Sequence, residues 1–239
     1  MWSRRPSPPS RRSAAPTNAA FIDLGRIKYK DAWDLQLRLH AERVAGERPD
    51  TVIFCEHDPV ITMGKSGKGN NLLVSLPELE RRGVDYFEVE RGGDLTYHGP
   101  GQLVVYPIFK LPRLREVQAF VRKMERAVIK ALASFGLTGE QRADHPGVFV
   151  RGAKIASIGA AVKAGVTYHG LAFDVCTDLT YFQLINPCGM PGVAVTSVSR
   201  ELGREVRVEE AKESVRTAMI DIYDLDVAPE QGSRTARPA

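Results

Sequence analysis

Apolar side chains recur along this chain with two different periods, and the period predicts the element. Over residues 115–135 they fall at Val117, Phe120, Val121, Met124, Ala127, Val128, Ala131, Leu132 and Phe135. That three-and-four spacing predicts a long amphipathic helix, stopped by Gly136. Positions 32, 33, 36, 37, 41 and 44 fit one helical face and predict a second helix over 31–47, and 208–223 reads as a third. Short apolar or β-branched runs at 51–55, 60–63, 84–89 and 102–109 predict strands. Residues 154–163 and 167–175 read as a hairpin turning at Ala164-Gly165. Strands cluster, and helices are set between the clusters. The pattern therefore predicts an α+β fold with mixed or antiparallel sheets and packed helices, not a regular βαβ series.

Composition fits one domain with a sizeable core: 239 residues, 43% apolar and 26% charged. It excludes collagen-like, coiled-coil and wholly disordered chains. We read 20–227 as a single catalytic domain, 1–19 as a disordered Arg/Pro/Ser-rich extension and 228–239 as a loose tail. The formal charge of +4 first hints at a polyanionic partner. However, four of the 33 basic residues (Arg4, Arg5, Arg11, Arg12) lie in the first twenty positions, which contain no acid. The remaining 29 face 29 acids, so the body is neutral and a nucleic-acid partner loses its support. A transit peptide shares that composition, but Pro6, Pro8, Pro9 and Pro16 would break its helix. No apolar run is long enough for a membrane helix, so no membrane partner is expected. Three cysteines, at 55, 176 and 188, make no disulfide framework and predict a reduced, cytoplasmic protein. No His/Cys spacing fits zinc, and no metal is expected.

Two familiar motifs fail. Gly64-Lys65-Ser66 resembles the end of a P-loop, but Pro59 stands where that loop needs glycine. Ser157 lacks the first glycine of a nucleophile elbow, because position 155 is Ile. Chemistry concentrates elsewhere. Residues 91–102 read RGGDLTYHGPGQ, with four glycines in twelve positions around His98. Glycine lets backbone N–H groups approach a ligand, so a ligand loop competes with a pair of tight turns. Lys154 opens the apolar stretch AKIASIG, where a lysine is ordinarily a solvated strand end. His169, in YHGLA, reads by itself as a hydrogen-bonded strand histidine. Cys55 follows an apolar run and reads as core, whereas Cys188 sits among turn formers in NPCGMPG, the setting of a reactive thiol. Residues 110–135 carry a local basic excess that fits either a solvated helix face or a docking surface for an acidic carrier.

RGGDLTYHGPGQ, the Lys154 stretch, YHGLAF and NPCG, in that order, resemble the octanoyl-[acyl carrier protein]:protein N-octanoyltransferases of lipoate biosynthesis. The resemblance covers about residues 20–225. It implies a fold like that of biotin and lipoate protein ligases and a bacterial, cofactor-free acyltransferase. It implies Cys188 as nucleophile and Lys154 as the group that lowers its pKa. It implies that the acyl chain is held by Arg91, Gly92, Gly93, Asp94, Leu95, Thr96, Tyr97 and His98, by Ser157, Ile158 and Gly159, and by Gly170, Leu171 and Ala172. The implied donor is octanoyl-acyl carrier protein. The implied acceptors are lipoyl domains of 2-oxoacid dehydrogenases and the glycine cleavage H protein. Asp174 departs from the family pattern, which more often has Asn. Rival readings are an ATP-dependent lipoate or biotin ligase, an amidotransferase between lipoyl proteins, and a silent binding module.

Overall fold

The computed structural model describes residues 17–67, 69–143, 145–189 and 192–227, apart from the side chains of Leu114 and Cys188. Most of the predicted extension, up to residue 16, and the tail from 228 lie outside the described residues. In chain order the elements are β1 (Thr17–Ile27), α1 (Tyr29–Ala45), β2 (Asp50–His57), β3 (Val60–Met63), α2 (Leu76–Arg81), β4 (Asp85–Glu88), β5 (Leu95–His98), β6 (Gln102–Ile108), α3 (Val117–Ser134), β7 (Glu140–Gln141), β8 (Val148–Val150), β9 (Ala153–Lys163), β10 (Val166–Asp174), α4 (Val198–Leu202), α5 (Val208–Tyr223) and β11 (Leu225–Val227). Among the described residues eight strands form a mixed sheet in the order β11-β1-β2-β6-β10-β9-β8-β7, and three form a small sheet, β4-β3-β5. The α+β expectation holds, and so does the hairpin: Ala164 and Gly165 both take positive φ, 49° and 75°, as a two-residue turn requires.

Alternation divides the large sheet into two unlike faces. Leu103, Val105, Leu171 and Phe173 point to one side and pack against Phe120, Met124 and Val128 of α3 and Val215 and Met219 of α5. Val104, Tyr106 and Ala172 point to the other side, under α1. The small sheet lines that second side as well, so the candidate site lies between the two sheets. The geometry bears on two expectations. The basic helix α3 lies on the face away from the slot, and two of its charges are paired within the chain. Arg122 pairs with the buried Glu125 and donates to the Arg142 carbonyl, and Lys130 pairs with Asp221. Helix α1 also buries a different stripe from the one its apolar residues predict. Ala32, Gln36, Leu39 and His40 are buried, while Leu37 and Val44 face solvent, because the stripe must serve a polar site.

Strand β1 was not legible as a strand, since its residues are mostly half-exposed and Gly25 interrupts them. It starts at Thr17, three residues inside the segment read as extension, and there pairs with β11 at Leu225. The Gly64-Lys65-Ser66 loop has spent its N–H groups, which donate to the carbonyls of Asp94, Arg91 and Gly93. It holds the glycine-rich segment and cradles no phosphate.

Candidate active site

Lys154 owes its direction to a defect in pairing. Val148 pairs with Ala156 but Phe149 pairs with Lys154, so β9 carries one extra residue at this point. Such a bulge re-aims side chains. Ile155 and Ala156 both enter the α3–α5 core, and Lys154 turns to the opposite face. It is buried, 2% exposed, with its ammonium 5.8 Å from the Phe149 ring centroid. The solvated strand end expected from composition is therefore not what this lysine is. Gly147, at φ 140°, makes room for it: a Cβ there would stand 2.7 Å from Lys154 Cε. Asp174 is buried beside the site and accepts from Gln102 Nε2 at 2.9 Å. Burial raises its pKa to about 7, against the pull of Gln102, Thr177 and the Lys154 charge.

Cys188 lies on a 3₁₀ turn, Pro187–Gly189, and its side chain lies outside the described atoms. Its backbone is fixed from two directions. Asn186 N–H donates to Asn71 O at 2.8 Å, and Asn71 Nδ2 donates to Asp94 Oδ2 at 2.5 Å. On the far side, Lys154 N–H donates to Ala194 O and Thr196 N–H donates to Lys154 O. The segment that follows Cys188 is thus stitched to the strand that carries Lys154. Asn71 was not singled out in the sequence; the only signal for it is a polar pair, Asn70-Asn71, ahead of an apolar run.

Between the sheets runs a narrow apolar slot of about 30 Å³. Arg91, Gly92, Gly93, Thr96 and His98 form one wall, and Ser157–Gly159 with Gly170–Ala172 form the other. Three separate sequence segments predicted to hold an acyl chain thus meet around one cavity. Tyr29, Val104 and Tyr106 complete it. Two predicted members face away. Strand alternation in β5 sends Thr96 and His98 into the slot and sends Leu95 and Tyr97 into the core around Phe182 and Leu184. Asp94 holds the Asn71 side chain, not the slot. Arg91 is buried and donates to Thr62 O at 2.6 Å and Thr62 Oγ1 at 2.9 Å, tying the wall to β3.

Histidines surround the slot. His98 Nδ1 donates to Gln102 Oε1 at 2.8 Å, and its ring stacks on Tyr29. His57, absent from the sequence reading, donates from Nδ1 to Ile27 O at 2.9 Å and accepts from Tyr106 Oη at 2.8 Å. Burial lowers the pKa of His57 to about 4 and that of His98 well below its usual value. His169 falls to about 4 through burial and the nearby Arg91 charge. All three rings are neutral at pH 7. His169 is not the regular strand histidine expected: its φ is 55°, Nδ1 has no hydrogen-bond partner among the described residues, and Nε2 stands 3.5 Å from Glu90 Oε2. Among the described residues no three His, Cys, Asp or Glu side chains gather as a metal site. Cys55 is buried, as its apolar context predicts, and Cys176 is exposed.

A small apolar slot between two sheets, on a scaffold that also carries a buried lysine and a cysteine turn, is the architecture of an α+β acyl-transfer enzyme. Known proteins narrow this class. The chain belongs to the lipoyl protein ligase A/B catalytic domain family, which it matches over residues 28–220. It is 44% identical over 212 residues to an octanoyltransferase of Syntrophobacter fumaroxidans, covering 87% of this chain and 92% of that one. It is 43% identical over 201 residues to an octanoyltransferase of Dictyoglomus thermophilum, covering 84% and 85%. In fold it is similar to a bipartite lipoate protein ligase of Thermoplasma acidophilum, with TM-score 0.68, 15% identity and coverage of 92% and 89%. A lipoate-protein ligase A bound with ATP gives TM-score 0.69, 15% identity and coverage of 92% and 90%. The family and fold expected from the motifs are therefore the ones found.

Proposed function

We propose that this acyltransferase moves an octanoyl group from acyl carrier protein to a lysine of lipoyl domains, through a thioester on Cys188. The observation that carries the proposal is the placing of all three predicted acyl-binding segments around one slot, in a chain whose relatives are octanoyltransferases. An ordinary thiol has a pKa of about 8.5, so only a few per cent is thiolate at pH 7. An adjacent ammonium that lowers it by about 1.5 units makes it half ionised. That is the task of Lys154. The Cys188 thiolate attacks the donor thioester carbonyl, and the carrier leaves as a thiolate that takes a proton from Lys154. The neutral Lys154 amine then accepts a proton from the acceptor lysine as that amine attacks the Cys188 thioester. The amide forms, Cys188 leaves as thiolate, and Lys154 is again an ammonium. Thioester exchange is nearly isoenergetic and amide formation runs downhill, so the sequence needs no ATP.

Burying about six methylenes at ~0.8 kcal/mol each gives the slot about 5 kcal/mol of attraction before entropy costs. The neutral histidines suit that task, since a charged ring beside a hydrocarbon would be costly. We place the reaction in the cytoplasm. Three cysteines without a disulfide pattern support this. Intact-mass measurement with octanoyl-carrier protein tests the mechanism. The expected result is a gain of one octanoyl group without ATP, absent in Cys188→Ser. Labelling that persists in Cys188→Ser, or an absolute ATP requirement, overturns it in favour of a ligase.

A further inference from the structure

We propose that His169 is the end wall of the slot and thereby sets the length of acyl chain the enzyme accepts. The inference rests on the reading of the slot as the acyl site. It starts from a pairing conflict between β10 and β6. These strands pair from Asp174–Gln102 to Leu171–Val105. They meet again where Thr167 N–H donates to Phe109 O. Between these points stands Pro107, which has no N–H to give. Gly170 presses on the Val105 carbonyl so closely that any Cβ would collide with it. The chain escapes by taking φ 55° at His169, which throws the ring into the slot.

What surrounds that ring is polar and unsatisfied. Nδ1 of His169, Gln36 Nε2 and Trp33 Nε1 are buried without a hydrogen-bond partner among the described residues, and Nε2 of His169 has only Glu90 to face. Glu90 Oε2 stands 3.5 Å from His169 Nε2, and the Trp33 and His169 ring centroids are 6.5 Å apart. Gln36 is held in place because its Oε1 accepts from His169 N–H at 2.9 Å. Hydrocarbon pushed against these atoms would seal them from water with nothing in exchange.

The strand register supplies the ruler. Lys154 marks the reacting end of β9, and the slot begins at Ser157, opposite Ala172. It runs past Leu171 and Gly170 and meets His169 opposite Ala160. Three strand residues advance about 10 Å. An extended eight-carbon chain is about 9 Å long. Two further carbons would reach the polar wall.

The experiment is a competition between equimolar octanoyl- and decanoyl-carrier protein, read as the ratio of the two Cys188 adducts by intact mass. Wild type is expected to favour octanoyl. His169→Gly removes the ring and suits the positive φ, and should raise the decanoyl-to-octanoyl ratio about tenfold. His169→Asn, which also tolerates this φ, should raise it about threefold. A merely structural role would lower both adducts and leave their ratio unchanged. A wild-type ratio in whichever variant folds overturns the inference. Failure of wild type to form any acyl adduct overturns instead the functional reading beneath it.

Discussion

The two faces of the large sheet are built from neighbouring residues and do opposite work. Leu103, Val105, Leu171 and Phe173 enter a wholly apolar core closed by α3 and α5. Val104, Tyr106, Gly170 and Ala172, one position along, face a cavity lined by two neutral histidines, His98 and His169, and by Arg91 and Thr96. The first face gains from every buried methylene. The second gives up part of that gain to keep an opening shaped for a chain. Stability and chemistry are thus divided within single strands, at a spacing of one residue.

That division can be attacked from either side. Lys154→Ala, on the chemical face, should slow acyl transfer by ~10²-fold or more. It should raise the apparent pKa of Cys188 toward about 8.5, read from alkylation rate against pH. The melting temperature should fall modestly, since the buried stem beside Phe149 leaves a cavity, so the alkylation pKa is the readout that isolates the chemistry. Phe173→Ala, on the structural face, should cost about 4 kcal/mol in denaturant unfolding, with the Cys188 alkylation profile unmoved. Acid should act through the chemical face. His57 and His169 titrate at about 4 when folded, against about 6.5 unfolded. The unfolded chain therefore binds more protons between those values. Stability should be full above pH 6.5 and fall by up to about 3 kcal/mol per ring as pH drops to 4. Asp174→Asn probes the opposite pH direction at a single group. A carboxyl raised to about 7 costs folding free energy as pH rises from about 4 to 7. The Asn variant should be more stable by up to about 4 kcal/mol above pH 7 and no different below pH 4. Equal melting temperatures at pH 8 would show that the carboxyl is not raised by burial.

Periodicity carried the α3–α5 face almost entirely. Every apolar position assigned to the long helix lies at its core or packs against it, because a helix burying one clean stripe advertises its period. The same logic failed for α1, whose buried stripe includes Gln36 and His40 and whose Leu37 is exposed. There the neighbour is a polar cavity, so burial and apolarity part company. At the site, glycine density around His98 located the slot wall. It could not show that β5 turns Leu95 and Tyr97 away, since that depends on strand phase. His57, Asn71 and the bulge at Ile155 left no local trace. Each acquires meaning only from what another segment brings beside it, such as Ile27 O for His57 and Asp94 for Asn71.

The pairing of Thr17 with Leu225 and of Ala19 with Val227 has a consequence for how the molecule comes into being. Among the described residues the most N-terminal strand shares an edge with the most C-terminal one, and β1 and β2 are themselves parallel neighbours joined through α1. Closing that edge must await synthesis of residues 225–227, long after the β9–β10 hairpin can form from adjacent residues. A nascent chain stalled before residue 225 would expose the outer side of β1, an open strand edge of the kind that recruits other chains.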